Sequence, residues 1–391
     1  MRLQTYKNMK KHIFIIGSRG LPAKYGGFET FVEELVKHQS NQNIKYHVAC
    51  QSENSDIEVV DGHFDYLGAD CFVINVPSIG PARVIAYDVL AINAALKQIK
   101  DEQIIEPIFY ILGNTIGGII GHYAHKIHKV GGKLLVNPDG LEWKRTKWPK
   151  PVRRYLKHAE KKMVRCADMI ISDNQGILDY LRAEYGQVTS KVIAYGTEKF
   201  NSNLTESENL IKYKTSDYYL IVGRFVPENN YELLIRDFMK SQTKRDLVII
   251  TNHEGNSYYE ELRAKTNFDK DPRVKFVGTV YDQNELRFIR EQAFAYLHGH
   301  EVGGTNPGLL EAMWSTPINI VLDVNFNRMT AGDSVIYFDK KNLSDILSEV
   351  EKITTVTRQD LQNKARQIIE EKYTWEHICA QYEALFTKIS D

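Results

Sequence analysis

The segment HIFIIGSRGLPAKYGGFETFVEELV, His12–Val36, contains the features that decide the fold class of this chain. It opens with an apolar run, His12–Gly17, that is short, rich in Ile and closed by glycine, as buried strands are. A loop with glycine and basic residues follows. The apolar positions of the last part recur with helical spacing: Phe28, Phe31, Val32, Leu35 and Val36. The segment therefore predicts a strand, a loop and a helix in succession.

The same alternation of strand and helix patterns continues through the first half of the chain. A helical stripe lies at Ile85, Val89, Ile92, Leu96 and Ile99. The further strand candidates are Tyr46–Cys50, Cys71–Val76, Ile108–Gly113, Lys133–Asn137, Met169–Ser172 and Lys191–Gly196. Strands that alternate with helices predict a doubly wound parallel sheet.

A polar stretch, Thr197–Asp217, predicts a linker, after which the strand patterns start again. The second series comprises Tyr218–Gly223, Leu247–Thr251, Val274–Gly278, Ala295–Gly299, Ile318–Asp323 and Val335–Phe338. We therefore expect an α/β protein with two Rossmann-like domains, residues 1–198 and 199–373, and a C-terminal helix within residues 374–391 that crosses back to the first domain. Two parallel sheets of this kind face a central cleft, and ligands bind beyond the carboxyl ends of the strands.

The overall composition excludes several classes of protein. Hydrophobic residues are 43% and charged residues 26% of the 391, which is typical of a globular chain and not of a disordered one. Lys plus Arg equal Asp plus Glu at 50 each, whereas a general nucleic-acid binder is usually more basic. The four cysteines form no CxxC pair. Because no run approaches the ~18 apolar residues of a membrane span, we expect a cytoplasmic protein.

The loop Gly17–Thr30 is the first candidate binding site. Gly26 and Gly27 allow a ligand to approach the backbone closely, and the following helix offers the unpaired N–H groups of its first turn. Arg19 and Lys24 add positive charge. We interpret this segment as a loop that binds an anionic ligand or substrate; the alternative is a tight turn with incidental basic residues.

Two further loops follow strands in the first domain. The glycine cluster Gly113–Gly121 is compatible with close helix packing or with ligand contact. The loop Val136–Trp148 places four polar residues at one strand end: Asp139, Glu142, Lys144 and Arg145. Carboxylates beside cations predict a polar site there, and a simple turn around Asp139 is the alternative.

A basic segment runs from Lys144 to Arg165, with Glu160 as its one acid and aromatic residues between the cations. In a chain of zero net charge, this concentration suits an anionic membrane surface or a lipid-diphosphate head group. Nucleic acid and a merely solvated helix face are the alternatives. The residues that we expect to contact a membrane are Trp148, Lys150, Arg153, Arg154 and Lys157.

The segment HGHEVGGTNPGLLEAM, His298–Met313, is the sharpest signal in the second domain. It combines a glycine turn, an N-cap residue and a proline suited to the first helical position: Gly303, Gly304, Thr305 or Asn306, Pro307 and Gly308. The N-terminus of the following helix predicts a diphosphate site. Glu311 lies one turn inside that helix, and because a carboxylate repels phosphate, we expect it to accept hydrogen bonds from sugar hydroxyls.

Arg224 directly follows a strand-end glycine, where a guanidinium can clamp a phosphate; a surface ion pair is the alternative. The histidines and the acid of His298–Glu301 fit no metal-binding motif. Asp269-Lys270-Asp271 has the DxD form of metal-dependent sugar-nucleotide enzymes, but it precedes a proline and a strand and predicts a turn. We therefore expect no metal and no other cofactor.

These loops, in this order, resemble the family 4 glycosyltransferases of GT-B fold over nearly the whole chain. The matching motifs are the GGxE loop, the Gly-Arg start of the second domain and the EAM that ends an Ex7E motif: Gly26–Glu29, Gly223–Arg224 and Glu311–Met313. The resemblance implies that the backbone at Gly278 and Val280 contacts the base of a nucleotide donor, and that Arg224 and Glu311 serve catalysis.

Two positions depart from the family pattern. The phosphate-binding Lys of the family is Asn229 here, among the residues expected at the donor, and the first Glu of Ex7E falls at Gly303. Arg19 and Lys24 are candidates to supply the missing charge.

The motifs YGGFET, DGLEWKR, GRFVPENN and GGTNPGLLEAM are more closely similar to bacterial rhamnosyltransferases of rhamnose-rich cell-wall and capsular polysaccharide synthesis. That resemblance implies retaining transfer of L-rhamnose from dTDP-β-L-rhamnose to a lipid-diphosphate-linked GlcNAc or glucose, by a peripheral protein on the inner face of the cell membrane. Asp139 would orient the acceptor hydroxyl or accept its proton. The expected acceptor-binding residues are Arg19, Lys24, Glu142, Lys144 and Arg145. A UDP-sugar donor, a sugar-nucleotide epimerase and a non-catalytic subunit of a glycan-assembly complex are the alternatives.

Overall fold

A computed structural model describes residues 10–24, 26–54, 57–145 and 148–389. These residues form two compact units. The first contains the described chain up to Lys144, Trp148–Tyr195, and the chain from Trp375 onwards. The second contains Arg145 and Gly196–Thr374. Each unit is an α/β structure built on a sheet of its own.

The first unit has an eight-stranded sheet in the order β3-β4-β2-β1-β5-β6-β7-β8. Its strands are β1 (Lys11–Ile16), β2 (Ile44–Gln51), β3 (His63–Tyr66), β4 (Ala69–Ile74), β5 (Ile108–Leu112), β6 (Lys133–Asn137), β7 (Met169–Ser172) and β8 (Ser190–Val192). The central strands β1 and β5 are buried almost throughout, because helices cover both faces of a parallel sheet. The pairings are parallel except β3 with β4, which is an antiparallel hairpin.

Amphipathic helices cover this sheet. They are α1 (Gly27–Lys37), α2 (Arg83–Asp101), α3 (Ile120–Lys129), α4 (Lys150–Cys166), α5 (Gln175–Tyr185) and the C-terminal α14 (Trp375–Lys388). Helix α14 belongs to the core of this unit: the hydroxyls of Tyr382 and Tyr110 are 3.0 Å apart, and Glu383 accepts hydrogen bonds from the backbone N–H and the hydroxyl of Ser40. In the described residues, no helix is both long enough and apolar enough to cross a membrane.

The second unit has a six-stranded parallel sheet in the order β11-β10-β9-β12-β13-β14. Its strands are β9 (Tyr218–Val222), β10 (Asp246–Ile250), β11 (Val274–Gly278), β12 (Ala295–His298), β13 (Asn319–Leu322) and β14 (Ile336–Phe338). Its helices are α6 (Glu208–Lys212), α7 (Tyr231–Lys240), α8 (Ser257–Thr266), α9 (Gln283–Gln292), α10 (Pro307–Ser315), α11 (Asn325–Ala331), α12 (Leu343–Val350) and α13 (Thr355–Lys372). Alternate residues of β9 enter opposite cores: Tyr219 packs on one face, and Tyr218 packs on the other.

Three local details differ from the sequence-based expectation. The run Lys191–Gly196 was expected to be a strand, but β8 covers only Ser190–Val192 and the chain then leaves the sheet. The expected linker Thr197–Asp217 contains helix α6, capped by the hydroxyl of Ser207, which accepts from the Leu210 N–H. The antiparallel β3 was missed because its half-exposed sequence, HFDY, carries no apolar run.

The glycine cluster after β5 serves packing. A Cβ added to Gly117 would lie 2.2 Å from the carbonyl oxygen of Ala159 in α4, so the backbones of the two elements touch. A Cβ on Gly118 would meet the Tyr155 hydroxyl at 3.2 Å. Of the two interpretations of this cluster, close helix packing is confirmed for these positions.

Candidate functional site

In the first unit, Asp139 follows β6 in a strained turn. Asp139 and Leu141 have positive φ angles of 59° and 55°, which few side chains tolerate outside Asn and Asp. The turn is held by side chains: Asn137 Oδ1 accepts from the Asp139 N–H at 3.0 Å, and Asp139 Oδ1 accepts from the Gly140 N–H at 2.7 Å. Asn114 reaches across from the end of β5 to the carbonyl of Pro138. The turn is therefore real, and it presents Asp139 at the carboxyl end of β6.

A second carboxylate, Asp173, follows the neighbouring strand β7. Val136 and Ile170 are paired across these parallel strands, so Asp139 and Asp173 each stand three residues beyond the pair. Burial, followed by the negative charge of Asp139, raises the pKa of Asp173 to about 7. Sequence analysis missed Asp173, although a carboxylate directly after a buried strand was the signal that could have found it. The two acids therefore follow neighbouring strands at the same edge of the first sheet.

The loop after β1 is organised by two glutamates of α1. Glu29 accepts from the Arg19 N–H at 2.8 Å, and Glu33 accepts from the Ala23 N–H at 3.1 Å. Gly26 has φ 135°, and a Cβ there would collide with the Glu29 carboxylate, so glycine is required. Gly27 has open space around its Cα. The side chains of Arg19 and Lys24 are exposed, so both stand at the surface of the loop.

The residues after Asp139 do not gather at one point. Glu142 and Lys144 share a short 3-10 turn, where Glu142 accepts from the Trp148 indole N–H at 2.8 Å. The Lys144 ammonium lies 5.5 Å from the ring of Trp143. Arg145 falls in the second unit. The residues expected to bind the acceptor therefore lie in three places: the loop after β1, the short 3-10 turn and the second unit.

In the second unit, the loop after β9 carries Arg224 and Asn229. Arg224 is exposed, and its carbonyl accepts from the Asn229 amide at 2.8 Å. Asn230, in the left-handed region with φ 55°, donates to the Gly299 carbonyl beyond β12 at 2.8 Å. Asn229 therefore supports the loop backbone, while its buried Oδ1 has no hydrogen-bond partner in the described residues. Its expected role at the donor stays a prediction.

Helix α10 begins as the sequence indicated. Asn306 is its N-cap, accepting from the Leu309 N–H at 3.2 Å, and Pro307 takes the first helical position. The first turn contains no acidic residue. Gly303 precedes it with φ 147°, Gly304 follows in a bend and Thr305 is buried. A Cβ on Gly308 would lie 3.2 Å from Asn306 Oδ1. Pro307 has no N–H and the Leu309 N–H donates to Asn306, so the positive end of the helix dipole is the main feature that favours an anion at this end.

Glu311, one turn into α10, is ion-paired with Arg290 of α9. The side chain of Arg290 is only 3% exposed, whereas that of Glu311 is 38% exposed. We expected Glu311 to be available for sugar hydroxyls. The structure adds that one of its oxygens already serves a buried guanidinium, so its role at a donor stays a prediction.

Two histidines lie at the end of β12, beside the loop of Arg224. Burial, and next the neighbouring His300, hold the pKa of His298 well below its usual range. Burial, followed by the positive charges of Arg224 and Arg145, lowers the pKa of His300 to about 4. Both rings are therefore neutral near pH 7. The buried His298 Nε2 has no hydrogen-bond partner among the residues the structure describes.

Two acidic residues in the segments considered for metal binding form ion pairs with nearby cations. Glu301 is paired with Lys340 at 2.7 Å, and Asp271 of the DxD sequence binds Arg273 at 2.7 Å beside the 3-10 turn Phe268–Lys270. The interpretation of Asp269–Asp271 as a turn is confirmed. Across the described ranges, no group of three or more His, Cys, Asp or Glu side chains has an arrangement that could hold a metal ion.

The predicted base contacts lie at the end of β11. Gly278 has φ 91°, and its carbonyl accepts from the Thr251 N–H at 3.0 Å. Val280 is buried two residues later. These positions share the second unit with Arg224 and the N-terminus of α10, and all three loops follow strands of one parallel sheet.

Comparison with known proteins agrees with this architecture. Residues 10–198 match the family model described as a domain of unknown function, DUF1972, and residues 203–375 match glycosyl transferases group 1. No curated relative matches the sequence.

Solved structures match nearly the whole chain at low identity. Sucrose-phosphate synthase from Thermosynechococcus elongatus has a TM-score of 0.78 at 14% identity, covering 97% of this chain and 99% of that one. The trehalose-6-phosphate enzyme structure from E. coli, bound with UDP-2-fluoro glucose, has a TM-score of 0.70 at 10% identity over 97% and 99%. Anabaena Alr3699/HepE in complex with UDP has a TM-score of 0.68 at 14% identity over 97% and 100%. The fold predicted from the sequence is confirmed: the chain has the GT-B fold, and residues 203–375 match the model of the group 1 glycosyltransferases.

Proposed function

We propose that this protein transfers a sugar from a nucleoside diphosphate to an acceptor hydroxyl, with retention at the anomeric carbon. The observation that carries the proposal is the N-terminus of α10, where Asn306 caps a helix whose first turn has no acidic residue. Breaking the bond between sugar and phosphate leaves a nucleoside diphosphate anion. Backbone N–H groups and the positive end of the helix dipole stabilise such a charge.

We propose that Arg224 stabilises the remaining negative charge on the leaving nucleoside diphosphate. Its loop is tied by Asn230 to the carbonyl of Gly299, in the chain segment that leads towards α10. A preorganised donor of this kind contributes about 3 kcal/mol at the transition state. Glu311 is proposed to hold hydroxyls of the donor with the oxygen that Arg290 leaves available. We propose that the reaction needs no metal and no other cofactor.

Asp139 is proposed to orient the acceptor hydroxyl or to accept its proton, with Asp173 as the neighbouring acid. A carboxylate within a fixed turn is suited to either role, because its position changes little during the reaction. The geometry of the Asx turn supports this assignment.

Two donors are supported by different arguments. The motif resemblance favours dTDP-β-L-rhamnose, and the UDP in two structurally similar proteins favours a UDP-sugar. Both are pyrimidine nucleoside diphosphates, so the proposed contacts to the diphosphate serve either one. The proposed acceptor is a lipid-diphosphate-linked GlcNAc or glucose on the inner face of the cell membrane, where the basic helix α4 meets anionic head groups.

A transfer assay with mass detection tests the proposal. The purified protein is incubated with EDTA, a synthetic lipid-diphosphate GlcNAc, and dTDP-rhamnose, UDP-glucose or UDP-GlcNAc in separate reactions. A mass gain of one deoxyhexose identifies rhamnosyl transfer, and a gain of a hexose or N-acetylhexosamine identifies a UDP-sugar donor. Donor rearrangement without an acceptor would show an epimerase. No turnover with any donor, together with no thermal stabilisation by UDP or dTDP, would contradict the proposal.

A further inference from the structure

A pocket of about 350 Å³ in the first unit is formed by one aromatic and four cationic residues, whose carbon atoms provide most of its surface: Trp143, Lys150, Arg153, Arg154 and Lys157. Its four charged residues lie in the first half of helix α4, and the indole comes from the preceding 3-10 turn. The pocket is separate from Asp139 and from the loop after β1, whose residues do not line it.

The charges at the start of α4 oppose the dipole of their own helix. Helix α4 begins at Lys150, its N-cap Pro149 provides no side-chain cap, and no acidic residue occupies the first turn. Cations are unfavourable near the positive end of a helix, whereas an anion is favourable there. The arrangement becomes favourable when a negatively charged group occupies the pocket.

Three of the cationic side chains have charged groups that a ligand could contact. Lys150 and Arg154 are exposed and have no ion pair with any residue that the structure describes. Arg153 uses only its Nε, which donates to the Trp143 carbonyl at 2.8 Å and leaves the outer guanidinium nitrogens for a ligand. Glu142, next to Trp143, binds the Trp148 indole N–H with one carboxylate oxygen.

The inner wall of the pocket is rigid. The Lys157 ammonium lies 4.5 Å from the Trp143 ring and 4.8 Å from the Tyr180 ring. The Tyr180 hydroxyl accepts from the Trp143 indole N–H at 3.1 Å and from Lys157, and it donates to the buried Glu160 at 2.6 Å. Its hydrogen-bonding capacity is therefore filled. This network holds Trp143 and Lys157 in place before any ligand arrives.

Lys157 contributes mainly to this wall. Its charge is balanced by Glu184 at 3.1 Å and by Glu160 at 3.7 Å, and Tyr185 also donates to Glu160. The uncompensated charge therefore comes from Lys150, Arg153 and Arg154. Three cations around one pocket match a diphosphate better than a single carboxylate, and guanidinium groups bind phosphate oxygens in pairs.

We propose that this pocket binds the phosphate or diphosphate group of the acceptor. The proposal rests on the proposed function, since it names the part of the acceptor that the first unit recognises. The group has two sources, a lipid head group or a water-soluble phosphate, and both present the same oxygens to Lys150, Arg153 and Arg154.

The test compares two variants of the full chain with equal loss of charge. Lys150→Gln with Arg154→Gln removes two exposed cations of the pocket. Lys161→Gln with Lys162→Gln removes two exposed cations of the same helix outside it. Binding of geranyl diphosphate and of inorganic diphosphate is measured by calorimetry without donor. We expect the pocket variant to weaken geranyl diphosphate binding at least about tenfold, and the control variant to weaken it less than about twofold. Thermal unfolding verifies that both variants fold.

The results distinguish a lipid head group from a water-soluble phosphate as the source of the bound group. Weaker binding of both diphosphates in the pocket variant indicates that the diphosphate alone is recognised. Weaker binding of geranyl diphosphate alone indicates a lipid-linked ligand. Equal binding by both variants, or no binding by the wild type, would overturn the proposal. The binding test contains no sugar donor. A failure of sugar transfer in the separate assay would therefore reject the proposed function but would leave the binding result valid.

Discussion

The carboxylate of Glu311 in α10 is ion-paired with the guanidinium of Arg290 in α9, whose side chain is 3% exposed. Arg290 Nε is also buried and has no hydrogen-bond partner in the described chain. The residue that the family resemblance assigns to the donor therefore also neutralises a buried cation. Activity and stability are coupled at this position.

Replacing Glu311 by Ala should lower both the rate of transfer and the free energy of unfolding. Leaving a buried charge unpaired costs about 3–5 kcal/mol, and the partial exposure of Glu311 reduces this to about 2 kcal/mol. Urea unfolding measures the loss. In the double variant Arg290→Met with Glu311→Ala, stability should return while transfer stays low. Recovery of transfer in that variant would show that Glu311 acts only through Arg290.

Arg224→Ala should lower kcat/KM about 100-fold, because one preorganised donor to the leaving diphosphate is lost. The side chain is exposed, so the free energy of unfolding should not change. The pKa of His300 should rise, since the charge of Arg224 helps to lower it, and an NMR titration follows that change. Arg263→Ala, at an exposed ion pair with Glu260, is the control. Wild-type kinetics for Arg224→Ala would refute the assignment.

Asp139→Asn should lower kcat about 100-fold with little change in fold. Asparagine tolerates the positive φ, and its amide oxygen still accepts from the Gly140 N–H. The pKa of Asp173 should fall, because the charge of Asp139 contributes to raising it. Steady-state kinetics and an NMR titration of Asp173 measure the two effects. An unchanged kcat would leave Asp139 as a turn residue only.

Burial of Asp88 should make stability fall as pH rises. The side chain is 1% exposed, and burial raises its pKa to about 7 despite a hydrogen bond from the Thr115 hydroxyl at 2.9 Å. In the unfolded chain the pKa is about 3.9. The folded state therefore holds a proton that the unfolded state releases, so the stabilisation is complete below about pH 4 and is lost as pH rises through about 7.

Asp88→Asn should remove this part of the pH dependence and raise the free energy of unfolding at pH 8 relative to the wild type. Asp269→Asn, at an exposed turn, should leave the pH profile unchanged. Urea unfolding at pH 5 and pH 8 measures both variants. A wild-type profile for Asp88→Asn would show that Asp88 is charged in the folded protein.

Gly117→Ala should destabilise the first unit by at least about 1–3 kcal/mol, because the new Cβ would lie 2.2 Å from the Ala159 carbonyl oxygen. Gly121→Ala is the matched control, since its nearest neighbour would be Cys166 Sγ at 3.9 Å. That change should be neutral or slightly stabilising in a helix. Thermal unfolding distinguishes the two, and equal melting temperatures would contradict the packing assignment.

Local signals in the sequence were sufficient for most of the order of elements and for the start of the helix at the candidate donor site. The apolar runs around Phe14 and Leu220 became buried central strands, because such runs are stable only between two layers of helices. Asn306 and Pro307 predicted the start of α10, because helix capping depends on residues that are adjacent in the chain. The edge strand β3 was not predictable in this way, because its half-exposed sequence is stabilised by antiparallel pairing with β4 at the end of the sheet.

By itself, the sequence determined the position of most strands, the start of α10 and the segment that carries the excess positive charge. Each of these depends on neighbours within a few residues. Only the tertiary structure decided that Asp173 stands beside Asp139, that Arg290 takes one oxygen of Glu311, that Asp88 is buried, and that Lys157 is enclosed by aromatic rings. These relationships join residues far apart in the chain, and strand order and helix packing, not local spacing, bring them together.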